Sequence, residues 1–306
     1  MGIDNRKGIL YALFTASMWG FMAIVLKVVT YELLPVTVVW FRFCLAFFLL
    51  AAWTLIFRRN DFSIFRRPPY QLFLAAFFLA FNYLGFIAGI KYVSPSSSQV
   101  FIQIAPVSFA LSGIVIFREH VNWKHIVGFV LVLSGIGLFY SEQLGQMTGG
   151  GGNHFTLGML LVLGGGLSWA AFATFQKGLV RKLHPNQLNL FIYGICALGL
   201  LPWVQFSNLQ GMPAVNWILL LYLGLNTVLA YGSLALAIKL TEATRVSVII
   251  TLNPIITFVT MAILTRMNVS WIEAESFSLL SFLGALTVLG GAILVISAGW
   301  NKKNQK

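Results

Sequence analysis

The sequence is short of charge and shorter still of acid. Among 306 residues there are 8 Asp or Glu against 20 Lys or Arg. A soluble domain is about 25% charged; here 9% of residues are charged and 58% are hydrophobic. Too few charges remain to coat a water-soluble core of this size, and the hydrophobicity excludes a disordered chain. Cysteine is nearly absent: Cys44 and Cys196 both lie in apolar runs, so no disulfide framework is implied. The four histidines form no cluster with cysteine, which leaves no expected metal site and no expected cofactor. The net charge of +12 suits a nucleic-acid binder only if it is gathered into a patch. Instead it occupies the gaps between apolar segments, which is the membrane pattern.

What the sequence has in plenty is long apolar runs, with a mean hydropathy of +0.86. Ten reach the length that crosses a bilayer: roughly 8–28, 36–57, 71–91, 95–117, 124–141, 157–177, 187–206, 215–238, 243–265 and 278–298. They are apolar on all faces, which excludes the alternating strands of an outer-membrane barrel. The expected fold class is therefore all-α integral membrane, with ten transmembrane helices. If the N-terminus is inside, the inside segments hold sixteen of the Lys and Arg residues. The outside segments hold three, Lys27, Lys91 and Arg266, and Arg42 falls within the second span. That bias places both termini in the cytoplasm, as in a bacterial inner-membrane protein. The first run is longer than a signal-peptide core and no small-residue cleavage site follows it.

The chain repeats itself. Shifted by 150, the first span falls on the sixth: Gly8 meets Gly158, Trp19 meets Trp169 and Lys27 meets Lys177. Shifted by 148, the third and fourth spans fall on the eighth and ninth: Tyr83 meets Tyr231, Lys91 meets Lys239, Pro106 meets Pro254 and Arg118 meets Arg266. Shifted by 156, the fifth falls on the tenth, so that Gly128 meets Gly284 and Gly135 meets Gly291. The change of offset implies about eight extra residues within 272–283. Each half has five spans, an odd number, so the halves insert with opposite orientation. Inverted repeats of this kind characterise secondary transporters, with the solute site near the midplane where the halves meet. The expected organisation is an N-terminal five-helix repeat (1–148), a glycine-rich linker (149–156) and a C-terminal five-helix repeat (157–306). The linker stretch lacks the GK[ST] of a phosphate loop and reads as a flexible connection. The glycine pairs of the fifth and tenth spans form a close-packing stripe. It either seats each helix on its own half or mates two protomers, so a monomer or a weak homodimer is expected.

Several local cues recur in order. They are ASMWG in the first span, FRFCLA at Phe41–Ala46 in the second, Tyr83 through Lys91 into SPSSSQVFIQIAPV, and FREHVNW at the end of the fourth. With the ten duplicated spans, they make the chain resemble the EamA family of the drug/metabolite transporter superfamily. The resemblance implies a ten-helix basket that alternates access by rocking. The first, third, fourth, sixth, eighth and ninth helices surround the cavity, and the fifth and tenth are peripheral. It also implies export of amino acids or other small metabolites.

The polar residues inside the spans are the candidate solute-binding set. On the fourth span Ser96, Gln99, Gln103 and Pro106 are spaced 3, 4, 3 and share one helical face. On the ninth the same positions hold Thr244, Ser247, Thr251 and Pro254, with Asn253 beside the proline. Such a face turns toward protein or a wet cavity, not lipid. Each proline also frees a carbonyl one turn earlier, Ile102 and Ile250, and makes a hinge. The alternative is that these side chains only bridge neighbouring helices. Trp19 and Trp169 lie mid-span, away from the interfaces that tryptophan prefers. They form either an aromatic wall with two N–H donors or ordinary packing. Tyr83 and Tyr231 pose the same choice, and Asn82 is a further polar candidate. Arg42 needs a partner: Glu32 is the nearest acid in sequence, snorkelling is the second option, and a gate or an anchor for a substrate anion is the third. Lys27, Lys91, Arg266 and their mates either offset helix C-terminal ends or take part in gating.

No acid sits mid-span, which argues against an intramembrane proton relay. A facilitator or exchanger is expected, or coupling through Glu242 at the inner mouth of the ninth span. Two other classes compete. A translocator of lipids or lipid-linked sugars would need a basic lateral opening, for which Arg42 and Lys27 are the outer candidates. An enzyme would need a catalytic constellation, and neither GxSxG nor HExxH is present. The expected partners are a small-molecule substrate and the lipid bilayer, with no nucleic acid.

Overall fold

The structure is a computed structural model that describes residues 5–116, 123–145, 151–241, 243–275 and 278–297. Among these residues there are twelve α-helices and no strand. They are α1 (Asn5–Val29), α2 (Pro35–Phe57), α3 (Tyr70–Ile90), α4 (Pro95–Phe101), α5 (Ile104–Val115), α6 (Trp123–Gly145), α7 (Gly151–Leu179), α8 (Pro185–Leu200), α9 (Ala214–Leu240), α10 (Ala243–Ile250), α11 (Asn253–Arg266) and α12 (Leu279–Ser297). Proline starts several of them. Pro35, Pro95 and Pro185 each open a helix, where the missing N–H is surplus and the fixed φ suits the first turn. Before Pro95, the Ser94 hydroxyl accepts from Ser97 N–H at 3.1 Å and caps α4.

Two expected helices are broken. The stretch read as 95–117 divides into α4 and α5 at Ile102–Gln103, and 243–265 divides into α10 and α11 at Thr251–Leu252. Pro106 and Pro254 explain both breaks, because each sits in the first turn of the second piece. The Ile102 carbonyl, expected to be free, instead accepts from Ala105 N–H at 2.8 Å in a tighter turn. The glycine-rich stretch also differs from expectation. Residues 151–156 belong to α7, where Phe155 is buried and Thr156 exchanges a 2.9 Å hydrogen bond with Tyr140.

Among the described residues, seven helices are long and apolar enough to cross a membrane, counting α4 and α5 as one; α12 is a shorter apolar helix. The 187–206 run falls short because α8 stops at Leu200, with short 3₁₀ turns at Leu201–Trp203 and Phe206–Leu209 beyond it. The chain is a multi-pass integral membrane protein, and its large apolar side chains face outward as well as inward: Leu10, Phe48, Ile56, Ile126 and Leu198 are exposed.

The helices pack mainly across the chain's midpoint. The closest pairs are α6 with α12, α3 with α7, and α1 with α9; α2 also packs on α8, and α5 on α10. Under the sequence correspondence, exchanging the halves turns the α1–α9 pair into the α3–α7 pair and the α5–α10 pair into the α4–α11 pair, which also packs, and leaves α6–α12 and α2–α8 unchanged. Glycine makes these seams close. A Cβ at Gly135 would stand 2.8 Å from Val288 N and 2.9 Å from Gly284 O. One at Gly291 would meet Gly128 O at 2.8 Å. The glycine stripes of α6 and α12 therefore pack on each other, joining the two halves, rather than each on its own half. On the second seam a Cβ at Gly85 would meet Leu161 O at 2.8 Å, and one at Gly89 would meet Gly158 O at 2.8 Å.

Lys27 is buried in α1 but caps a different helix. Its Nζ donates to the carbonyls of Ile90 and Lys91 at 3.2 Å and of Val93 at 3.1 Å, at the C-terminal end of α3. This is the end-capping option, realised on a neighbour.

The glycine seam has a built-in control, because a Cβ at Gly137 on the same helix meets nothing within 4 Å. Gly135→Leu should lower unfolding stability in detergent by about 1–3 kcal/mol, the cost of overpacking, while Gly137→Leu should be close to neutral. Equal melting temperatures for the two variants would contradict the seam.

Candidate functional site

Between the halves lies a narrow cavity of ≈ 60 Å³. The sequence-predicted residues Trp19, Asn82, Tyr83, Gln99, Gln103, Trp169, Tyr231 and Asn253 all line it, as do Arg42 and Pro106. All are buried. Thr251 and Pro254 are buried but off this wall. Glu242 lies outside the described residues. Met22, Phe86, Ile87, Ile102, Ala105 and Ile250 complete the wall. They carried no polar signal in the sequence; only their helical register beside the polar positions marks them.

The repeat mates meet one another here. The rings of Trp19 and Trp169 stand edge to face, 5.8 Å apart, and those of Tyr83 and Tyr231 are 5.7 Å apart. Trp19 also lies 5.2 Å from Tyr231. The tryptophans are thus an aromatic wall and a packed cluster at once. Polar bonds stitch the broken helices together beneath it. Gln103 Nε2 donates to Asn253 Oδ1 at 3.2 Å and to the Gln99 carbonyl at 3.1 Å. Asn82 Nδ2 donates to Gly165 O at 3.0 Å, which also ties α3 to α7.

Several buried atoms are left over. Trp19 Nε1 and Trp169 Nε1 donate to nothing, and Gln99 Oε1 and Gln103 Oε1 accept from nothing. An orphaned polar atom costs about 1–3 kcal/mol, and native proteins hold few of them. Four of them belong to residues that line one cavity.

Arg42 does not pair with Glu32. Glu32 instead accepts from Asn216 Nδ2. The Arg42 guanidinium lies over the Tyr83 ring, 4.3 Å from its centroid, and its Nε donates to Thr227 Oγ1 at 3.1 Å. Nor does it snorkel, since the residue is 2% exposed.

One acid was passed over in the sequence. Glu275 follows α11 in the stretch that breaks the repeat. Its Oε1 accepts from Ser96 N–H at 3.2 Å, where α4 begins, and its Oε2 is buried without a partner. Burial pushes its carboxyl up; hydrogen bonding from Ser96 and the charge of Lys27 oppose that. The signal was the inferred insertion at 272–283. At the other end a recess of ≈ 560 Å³ is rimmed by cations, among them Lys177, Arg181, Lys182 and Lys239, together with His184. His184 caps α8: its Nδ1 accepts from Asn186 N–H at 3.2 Å, and Arg58 stands 2.7 Å from Nε2. Among the described residues no group of His, Cys, Asp and Glu is placed to hold a metal.

A polytopic helical membrane protein with a buried, partly unsatisfied polar cavity between paired helices has the construction of a membrane transporter. The chain belongs to the EamA-like transporter family, whose profile matches it twice, over residues 6–141 and 156–297. It is 32% identical to an uncharacterized transporter of Haemophilus influenzae over 94% of each chain. It is 30% identical to an uncharacterized inner membrane transporter of Escherichia coli, YhbE, over 94% of this chain and 90% of that one. A probable amino-acid metabolite efflux pump of Escherichia coli is 24% identical over 97% and 98% of the two chains. A solved crystal structure at 13% identity superposes with a TM-score of 0.68, over 98% of this chain and all of that one, and so shares the fold.

Two measurements follow. In a double-mutant cycle, Gln103→Leu and Asn253→Leu should show a coupling on the order of 0.6 kcal/mol, the usual worth of such a bond in a membrane; additive effects would remove it from the cavity floor. The ring of His184 is held below the ordinary histidine range by burial and by Arg58. The folded state therefore binds that proton less well than the unfolded one. Its stability contribution is full above about pH 6.5 and is lost as pH falls through that value. His184→Asn keeps a capping side chain without the titration, so it should flatten the loss of melting temperature between about pH 7.5 and 5.5.

Proposed function

We propose that this protein is a secondary transporter that exports small organic metabolites of the amino-acid kind. In this reading it has ten spans in two inverted five-helix repeats, 1–148 and 157–306. The cavity opens alternately to either side as one set of helices rocks against the other. Trp19, Asn82, Tyr83, Gln99, Gln103, Trp169, Tyr231, Thr251 and Asn253 form the solute site. Pro106 and Pro254 serve as hinges, and Arg42 belongs to the same machinery. The termini face the cytoplasm. Transport is facilitation or exchange, or is coupled at Glu242.

One observation carries the reading: four orphaned polar atoms converge on one cavity lined by repeat mates. The helix pairing, unchanged by exchange of the halves, supports the repeat. The twofold match of the family profile supports the 1–148 and 157–306 division. The efflux-pump relative supports direction and solute class. The lipid-translocator reading draws no support from Arg42 and Lys27, because both are buried and engaged inside the protein.

Counterflow in proteoliposomes loaded with a mixed pool of amino acids and metabolites tests the proposal without an assumed coupling ion. Exchange of one solute class is expected. Gln103→Ala should slow it roughly fivefold or more, from a lost hydrogen bond of about 1 kcal/mol. Folded protein that exchanges nothing in the pool would sink the carrier reading.

A further inference from the structure

Arg42 is the one charged side chain on the cavity wall among the described residues. Its surroundings leave that charge unbalanced. Nε donates to Thr227 Oγ1 at 3.1 Å, and Nη2 approaches Met22 Sδ at 3.0 Å and Tyr83 Oη at 3.4 Å. Among the described residues, Nη1 has no hydrogen-bond partner and no carboxylate lies within ion-pair distance of Arg42. Glu32 is bound to Asn216, Asp61 to Arg58 and Glu275 to Ser96. Hydroxyls, a thioether and a ring face orient a guanidinium, but they do not neutralise it. A buried cation without a counter-charge is costly, and inside a membrane protein such a residue marks a substrate path.

The same wall supplies the rest of a recognition set. The unpaired N–H groups of Trp19 and Trp169 are donors, and the unpaired oxygens of Gln99 and Gln103 are acceptors. Donors that line one cavity with a cation suit an anionic group, and guanidinium suits a planar carboxylate. Bare carbonyl oxygens suit an ammonium group. We propose that Arg42, with the indole N–H groups of Trp19 and Trp169, binds the carboxylate of the transported solute, while Gln99 and Gln103 accept from its ammonium. The cavity therefore selects zwitterions over organic cations and neutral amides. This rests on the reading that the cavity carries the solute. It adds the charge class of that solute and the residue that reads it.

Counterflow with three matched pools tests it: amino acids, the corresponding amino-acid amides, and the corresponding N-acetyl amino acids. The first keeps both charges, the second lacks the carboxylate and the third lacks the ammonium. Amino acids should exchange. Amides should be slower by on the order of 30-fold, the worth of hydrogen bonds to a charged group, and N-acetyl acids by a smaller factor. Arg42→Gln should bring amino acids and amides within about threefold of each other, and Arg42→Lys should restore part of the preference. A second readout needs no transport. Removing an uncompensated buried charge should hold or raise the melting temperature of the solute-free protein, whereas loss of a structural arginine would lower it. Amides that exchange as fast as amino acids, or an Arg42→Gln variant with unchanged preference, would overturn the inference while leaving the carrier reading intact. No exchange from any pool would overturn both.

Discussion

Everything in this molecule answers to the cost of an unpaired polar atom in a low-dielectric interior. Most of the buried polar side chains meet that cost locally. Thr257 donates to Gly20 O at 2.6 Å, Asn226 to Met18 O at 2.8 Å and Asn82 to Gly165 O at 3.0 Å, and each bond joins helices distant in sequence. Against that background the exceptions stand out. Unpaired atoms occur elsewhere too, on Thr37, Thr54 and Gln176 for example, but those of Trp19, Trp169, Gln99 and Gln103 share one cavity wall with the Arg42 guanidinium, which no acid among the described residues balances. The cavity is defined less by its shape than by this unfinished bonding.

The seams that hold the halves together set what can move. Along α6–α12 and α3–α7, backbone approaches backbone closely enough that glycine is required on both sides. Seams of this kind slide poorly, because every step puts a Cβ against a peptide group. The centre is built differently. There the contacts are rings on the unbroken α1, α3, α7 and α9, and amides on the two spans that divide near Pro106 and Pro254. Close glycine seams thus flank a centre where two spans are divided.

Most of the cavity was legible in the sequence, because polar and aromatic residues inside apolar runs are conspicuous and the repeat aligned them in pairs. Trp19 with Trp169 and Tyr83 with Tyr231 were readable as mates, though not as neighbours. The apolar wall, Met22, Phe86 and Ile87 among it, was invisible for the opposite reason: an apolar residue in an apolar run carries no contrast. The partner of Arg42 was misread because the nearest acid in sequence is not the nearest in space, and Asn216 takes Glu32 from 184 positions away. The helix breaks were readable only as prolines. Whether a proline kinks a helix or divides it depends on how the turn before it closes, and at Ile102 it closes with a three-residue bond. The glycine stripes were recognised, but what faces them was not, since a stripe does not name its partner.

The two ends of the cavity axis are unlike. At one end the Glu275 carboxylate is tucked against the start of α4, with Glu273 and Lys27 close by. At the other, lysines and arginines rim an open recess of ≈ 560 Å³. Mobile ions reach exposed charges and weaken their field within about 10 Å at 0.1 M, but they reach a buried carboxylate far less. Ionic strength therefore acts more on the open basic rim than on the Glu275 carboxylate. Salt dims the basic rim and reaches the buried carboxylate oxygen at the opposite end far less, so the two ends differ in electrical character although one family profile matches both halves of the chain.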